Sequence, residues 1–334
     1  MILVTGGTGL VGAHLLYQLT SQNKEVRAIY RTPDRLQTVQ KVFSYYTDAV
    51  EDLFSRIDWV QADITEVPSL EKAFVDVDFV YHVAAFVSFD PKDYSKMRQV
   101  NIEGTAHIVN CAIACNVKKL CFVSSIAAIG DAEHTELVTE ENDWVLDAKS
   151  SGYAITKHGA EMEVWRASQE GVDVIIVNPG VILGAGFWEV NTGFLFAKAA
   201  KGFSFYTQGV TGFVGVSDVA AAMLKLMSSD LKNERFILVA ENVSFQSLFS
   251  QIAKHFGKKA PTVYISKRKT SLLRRIDSMI SFFTGRKRRI TRNSERSLHQ
   301  KTYYSSEKIK KSVGFEFMPL KTVIQEVAKS YKLE

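Results

Sequence analysis

The sequence predicts an α/β fold: a doubly wound parallel sheet with helices on both faces, followed by a smaller, mostly helical C-terminal lobe. Two observations carry this expectation. Short, β-branched apolar runs recur through the first half of the chain with helical patterns between them, and the first run opens directly into evenly spaced glycines. At 334 residues the chain has the length for one large domain or two coupled ones.

Met1 to Val4 read as a short strand buried on both faces. Gly6, Gly9 and Gly12 follow at three-residue intervals, and Leu10, Val11, Leu15, Leu16 and Leu19 continue at helical spacing. Strand, tight turn and helix in this order bring backbone amides to a helix N-terminus with no Cβ in the way, which is how a phosphate is held. In this register Gly6 permits the turn, Gly9 the close approach and Gly12 the packing of helix on strand. Gly7, Gly9 and Gly12 also fit G-x-G-x-x-G, so the register stays open by one residue.

The segments "EVRAIYR", "IDWVQADI", "DFVYHVAAFV", "VKKLCFVSSIAAIG" and "VDVIIVNPGVILG" continue the strands, with helices near residues 68–75, 92–116 and 153–170. Past residue 180 the chain becomes glycine- and aromatic-rich, then helical from a cap at Ser217 or Asp218. "ERFILVA" returns to strand character, and residues 245–334 read as mostly helical. The expected division is a nucleotide-binding part, residues 1–177 plus 214–240, and a substrate-binding lobe, residues 178–213 plus 241–334.

Composition is that of an ordinary globular protein, 46% hydrophobic and 23% charged. No basic leader precedes the first strand and no run reaches the roughly 18 apolar residues of a membrane span, so the cytoplasm is the expected compartment. Cys111, Cys115 and Cys121 have no second Cys or His cluster beside them and read as reduced core residues, with no metal site. Charge is uneven: residues 267–301 hold twelve Lys and Arg against Asp277 and Glu295, a local net of +10 in a chain of net +5. The remainder is acidic, which argues against nucleic acid as a partner. Within this basic stretch Leu272, Leu273, Ile276, Met279, Ile280 and Phe283 fall at helical spacing. Such a helix can pack over a cleft or lie on an anionic membrane surface, and the structured remainder after it favours packing.

The segment "SSGYAITKHGAEMEVW" sets Tyr153 and Lys157 four apart, on one face of a helix. An ammonium beside a phenol favours the phenolate and draws its pKa towards the working range of an acid or base. "CFVSSIAAIG" puts Ser124 and Ser125 at the C-terminal end of a strand, where ligands of open α/β sheets bind, and "VNPGVILG" puts Asn178, Pro179 and Gly180 at another. A hydroxyl, a phenol and an ammonium converging beside a nicotinamide would make a hydride-transfer site.

These motifs, in this order, resemble the extended short-chain dehydrogenase/reductase superfamily, specifically its NAD(P)-dependent epimerase/dehydratase family and the dihydroflavonol 4-reductase-like branch. The TGxxGxxG motif is matched by Thr5 to Gly12 and Y-x-x-x-K by Tyr153 and Lys157; the serine five residues before the strand-end Gly130 selects Ser125. The resemblance covers most of residues 1–240 and implies a Rossmann-type fold. It assigns cofactor contacts to Gly6, Gly9, Leu10, Val11 and Gly12, to Asp63 and Ile64 in "QADITE", to Ala84 and Ala85 in "HVAAF", and to Tyr153, Lys157 and Pro179. Asp63 also suits a plain strand-end cap. Asn101 matches a family position of largely structural role, and the helices after the fourth and fifth strands imply a homodimer.

Cofactor choice turns on the end of the second strand. Tyr30 stands where NAD enzymes carry an acid, and Arg31 follows with a guanidinium fork suited to a 2′-phosphate, so NADP is expected and NAD is the alternative. The implied reaction moves a hydride between NADP(H) and the carbonyl or alcohol of a small organic substrate. Tyr153 would give the proton, Ser125 would hydrogen-bond the same oxygen, and Lys157 would hold the ribose. A nucleoside-diphosphate-sugar epimerase or dehydratase with tightly bound NAD is the alternative, and Arg286 to Arg292 could meet its diphosphate. A non-catalytic NADP-binding regulator is a third reading, against which stands the presence of both Tyr153 and Lys157. Phe86, Phe89, Phe187, Trp188, Phe194, Phe196, Phe203, Phe205 and Tyr206 are candidates for an apolar pocket, in competition with plain core.

Overall fold

A computed structural model of the chain describes residues 1–131, 137–147, 150–189, 192–284 and 291–332, without the side chains of Phe282 and Phe283. In chain order the strands are β1 (Ile2–Thr5), β2 (Val26–Tyr30), β3 (Ile57–Gln61), β4 (Phe79–His82), β5 (Lys119–Val123), β6 (Leu137–Val138) and β7 (Asp173–Pro179). They continue as β8 (Val181–Leu183), β9 (Phe205–Tyr206), β10 (Val210–Gly215), β11 (Glu234–Leu238), β12 (Glu241–Ser244), β13 (Val263–Tyr264) and β14 (Tyr303–Tyr304).

One sheet runs in the order β11-β7-β5-β4-β1-β2-β3, with every pair parallel. The strand order reverses between β1 and β4, so the C-terminal ends of these two strands open a crevice. Burial on both faces explains why the runs are continuously apolar rather than alternating. Even Lys119 in β5 is buried, its Nζ donating to the Leu226 and Ser229 carbonyls at 3.0 and 2.8 Å.

On one face the helices Leu10–Ser21 and Val216–Met227 pack around Leu15, Leu16, Leu19, Met223 and Leu226. The helices Gly104–Ala114 and Gly152–Gln169 cover the other face with Ile108, Val109, Ala160 and Val164. A third core, around Phe196, Phe213, Leu248, Ile252, Leu320 and Ile324, gathers three later helices beside the small sheet β12-β10-β8. The α/β sheet with a mostly helical C-terminal region is therefore the observed architecture.

Several local expectations need correction. Two short helices that apolar periodicity does not announce, Arg35–Ser44 and Val50–Ser55, join β2 to β3; the first buries only Val39, Val42 and Phe43. The segment near 92–116 is not one helix, because a π turn over Gln99–Glu103 interrupts it and buries Asn101. The helix expected to be capped by Ser217 or Asp218 starts at Val216 with Gly215 as its cap residue; the Asp218 carboxylate instead accepts from the Met318 amide at 3.0 Å. Cys111 and Cys121 are buried as expected, whereas Cys115 ends its helix exposed.

Candidate active site

The glycine turn forms the floor of the crevice. Gly6 has φ +68°, the left-handed region that glycine alone enters without strain, and a Cβ there would lie 2.6 Å from the Ala84 nitrogen. The Gly9 amide donates to the Gly6 carbonyl at 2.9 Å, and no side chain caps the helix that begins at Leu10. A Cβ on Gly12 would lie 2.1 Å from the Gly6 oxygen, so Gly12 is the packing glycine. A Cβ on Gly7 would meet Leu16 Cδ1 at 2.9 Å and Ala28 Cβ at 3.3 Å, inside the core; Gly6 and Gly9 line the cleft and Gly7 does not, which favours the register of Gly6, Gly9 and Gly12. The cradle, in which Gly6 and Gly9 bring bare backbone to the cleft and which ends at a helix N-terminus without a side-chain cap, fits a dinucleotide pyrophosphate.

A cleft of about 1270 Å³ extends from this cradle. That exceeds the roughly 300–1,000 Å³ of a single small-molecule site, leaving room for a dinucleotide and a second molecule. Gly6, Gly9, Leu10, Val11, Arg31, Asp63, Ile64, Ala84 and Ala85 all line it. Gly12 does not, being packed beneath. The Pro179 expectation also needs correction: Pro179 is the buried last residue of β7, paired with Leu238, and Gly180, Val181 and Ile182 form the wall there.

At the far end of β2, Arg31 Nη1 stands 3.6 Å from Asp63 Oδ2, with the Arg31 side chain 63% exposed. The other Asp63 oxygen accepts from the Thr65 amide at 2.9 Å and the Thr65 hydroxyl at 2.8 Å, so Asp63 does cap its turn. Partial burial works against this carboxylate, but the Thr65 bonds and Arg31 outweigh it and hold its pKa below the ordinary range. Thr32 and Arg35 line the same end and were missed in the sequence; the "YRTPDR" spacing of Arg31 and Arg35 was the available signal.

At the reacting end, Ser151 caps the Gly152–Gln169 helix through the Ala154 amide, and the helix carries Tyr153, Lys157 and Glu161 along one face at spacings of four. Ser125 Oγ accepts from the Ala127 amide at 3.2 Å, which leaves its O–H free to donate. Burial pushes the Tyr153 phenol above its ordinary pKa, and only the Ser125 side chain beside it pulls the other way. The expected lowering of the phenol by Lys157 is therefore corrected. Lys157 Nζ donates to the Val123 carbonyl at 2.7 Å and sits 4.2 Å over the Phe122 ring. Burial draws its pKa down to about 7, and the Glu161 charge opposes this.

Behind the lysine lies a buried polar cluster that sequence reasoning missed, although Glu161 continues the Tyr153–Lys157 spacing. Glu161 Oε1 accepts from Asn178 Nδ2 at 2.6 Å, and Arg235 Nη1 lies 3.8 Å from Glu161 Oε2. Burial pushes the Glu161 carboxyl up, with Ser124, Asn178 and Arg235 opposing. Both serines line the cleft, but the Ser124 side chain lies beside Glu161, where its Oγ is buried without a hydrogen bond of good geometry, whereas the Ser125 side chain lies beside Tyr153. Asn101 accepts from the Phe86 amide at 2.7 Å and donates to the Phe86 carbonyl and Thr156, fastening the loop after β4 to the Tyr153 helix.

Of the nine candidate aromatics, Phe86, Phe89 and Phe187 line the cleft, and the Phe89 ring lies 6.1 Å from Tyr153. Phe196 is core, Trp188 packs on Tyr331, Phe203 on Phe249 and Tyr206 on Tyr264, while Phe194 and Phe205 are exposed. Trp144, Phe245 and Tyr304, absent from that set, complete the apolar wall. Arg286 to Arg289 lie outside the described residues; Asn293, Ser294 and Arg296 from the end of the basic segment line the cleft.

A model of the NAD dependent epimerase/dehydratase family matches residues 2–239. A Synechocystis sp. protein provisionally named dihydroflavonol 4-reductase is 26% identical over 333 residues, which cover 97% of this chain and 92% of that protein. Cinnamoyl-CoA reductase 1 of Petunia hybrida is 27% identical over 340 residues, covering 99% and 91% respectively. Among solved structures, UDP-glucose 4-epimerase of Thermotoga maritima with UDP-glucose superimposes with a TM-score of 0.77 at 19% identity, over 100% of this chain and 99% of that one. At that identity the likeness is one of fold.

Proposed function

Because this chain belongs to the NAD dependent epimerase/dehydratase family of extended short-chain oxidoreductases, we propose that it is an NADP-dependent reductase of a small organic carbonyl compound. The observation that carries the proposal is the meeting of Tyr153, Ser125 and Lys157 in one cleft with the glycine cradle. The reductase names of the full-length relatives support it, whereas the UDP-glucose epimerase shares only the fold. Arg31 and Arg35 beside the end of β2 support NADP over NAD, since two guanidinium groups suit a 2′-phosphate. In this reading residues 1–177 with 214–240 bind the nucleotide, and residues 178–213 with 241–334 bind substrate.

The dinucleotide, when bound, supplies or accepts the hydride. Tyr153 holds its proton at neutral pH as any phenol does, burial only reinforcing this, and releases it to the oxygen on which negative charge develops. Ser125, which accepts from the Ala127 amide on one of its lone pairs, donates its O–H to that same oxygen. Lys157, anchored at Val123, presents its remaining N–H bonds to the nicotinamide ribose. Phe86, Phe89, Phe187 and Trp144 exclude water and favour an apolar body around the carbonyl.

The test is a screen of NADPH and NADH oxidation against aldehydes, ketones and flavonoid-like compounds, with sugar nucleotides included. NADPH-dependent turnover of an apolar carbonyl is expected. Purified protein carrying stoichiometric, unexchanged NAD and acting only on sugar nucleotides would replace this reading with the epimerase one.

A further inference from the structure

The helix Lys267–Thr284 is built inside out. Its buried side chains are polar: Thr270, Asp277 and Ser281 are 4, 6 and 3% exposed. Leu272, Leu273, Ile276, Met279 and Ile280, at positions i, i+1, i+4, i+7 and i+8, form one face that stands between 40 and 62% exposed. Bonds to the body of the protein fix this orientation. Thr270 Oγ1 lies 2.9 Å from His299 Nε2, and Arg274 Nε donates to Glu295 Oε2 at 2.5 Å. A helix in water hides such a stripe, so a contiguous exposed one marks a surface that meets something apolar.

Charge identifies what that is. Lys267, Arg268, Lys269 and Arg275 are exposed around the stripe, and the one acid of the helix, Asp277, is buried beneath it. We propose that this face docks on an anionic membrane surface, with the apolar side chains at the boundary of headgroups and acyl chains and the cations on lipid phosphates. Insertion across the bilayer is not open to this helix, since no described helix is long and apolar enough to cross a membrane. The helix Arg292–Ser297 packs on it and contributes Asn293, Ser294 and Arg296 to the cleft, so docking sets one cleft wall beside the lipid.

Co-sedimentation of the full chain with vesicles tests the proposal. Phosphatidylcholine vesicles containing phosphatidylserine should carry down the wild type at physiological salt, and pure phosphatidylcholine should not. Leu273→Asp combined with Ile276→Asp should lower the affinity for anionic vesicles at least about tenfold. Arg268→Glu combined with Arg275→Glu should weaken it and flatten its salt dependence. All four side chains are exposed, so the variants should melt as the wild type does, and Leu273→Trp should show a blue-shifted emission on anionic vesicles. The proposal is overturned if the wild type stays in the supernatant, if it binds equally after the aspartate changes, or if sedimentation velocity without lipid shows a dimer that those changes dissociate.

Discussion

Lys157 donates to the Val123 carbonyl oxygen at 2.7 Å from a position that is 1% exposed. Burying an ammonium is costly even with the Val123 carbonyl and the Phe122 ring beside it, and this outweighs the Glu161 charge, which is why its pKa falls from 10.5 to about 7. In that window the unfolded chain binds the proton and the folded chain does not, so stability at this site rises with pH. The stability of the wild type relative to Lys157→Met should therefore climb from about pH 7 towards 10.5, by up to about 1.4 kcal/mol per unit, and be flat below. Urea denaturation of both proteins without cofactor checks this. A falling difference would contradict it.

Arg31 is held only loosely by Asp63, at 3.6 Å, and is free to turn onto a phosphate. Arg31→Ala should weaken NADP binding by about 1.5 to 3 kcal/mol while leaving NAD nearly unchanged. Fluorescence titration with NADPH and NADH measures both, and equal losses would remove Arg31 from cofactor selection.

The glycines differ in how much room they have. A Cβ on Gly12 would meet the Gly6 oxygen at 2.1 Å, whereas one on Gly9 would meet it at 3.3 Å. Gly12→Ala should cost about 1 to 3 kcal/mol of stability through overpacking against main chain. Gly9→Ala should fold nearly as the wild type and lose dinucleotide affinity, because it lines the cleft. Thermal melts with and without NADPH distinguish the two effects.

The two serines make a paired test. Ser125→Ala should lower kcat about 10- to 100-fold, losing one hydrogen bond to developing charge. Ser124→Ala, whose buried hydroxyl lies beside Glu161 rather than Tyr153, should leave kcat within a few-fold. Reversed effects would mean that Ser124 meets the substrate oxygen.

What the sequence disclosed and what it concealed have physical causes. The sheet was legible because strands buried on both faces, such as β5 and β7, are continuous apolar runs, and because Gly6 and Gly12 have a steric reason to be glycine. Tyr153, Lys157 and Ser125 were legible because helical spacing and a strand end fix where such groups point. Glu161 was hidden by its partners, since Asn178 and Arg235 come from strands far along the chain. The Lys157 environment was hidden too, because a spacing of four reports a shared face and not the Val123 carbonyl beneath it. For the helix Lys267–Thr284 the outward turn of its apolar face was not legible, because periodicity says that a helix has an apolar face but not which way it turns.

The central claim is that the Tyr153 phenol gives the proton at the reacting oxygen. Lys157 is fixed at Val123 and Ser125 only polarises, so no other member of the set can replace it. On whichever carbonyl compound the screen identifies, Tyr153→Phe should lower kcat by about 10² to 10⁴-fold, with dinucleotide affinity from separate titration within a few-fold of the wild type. A Tyr153→Phe enzyme that keeps near wild-type kcat would contradict the account and move the acid to another group in the cleft.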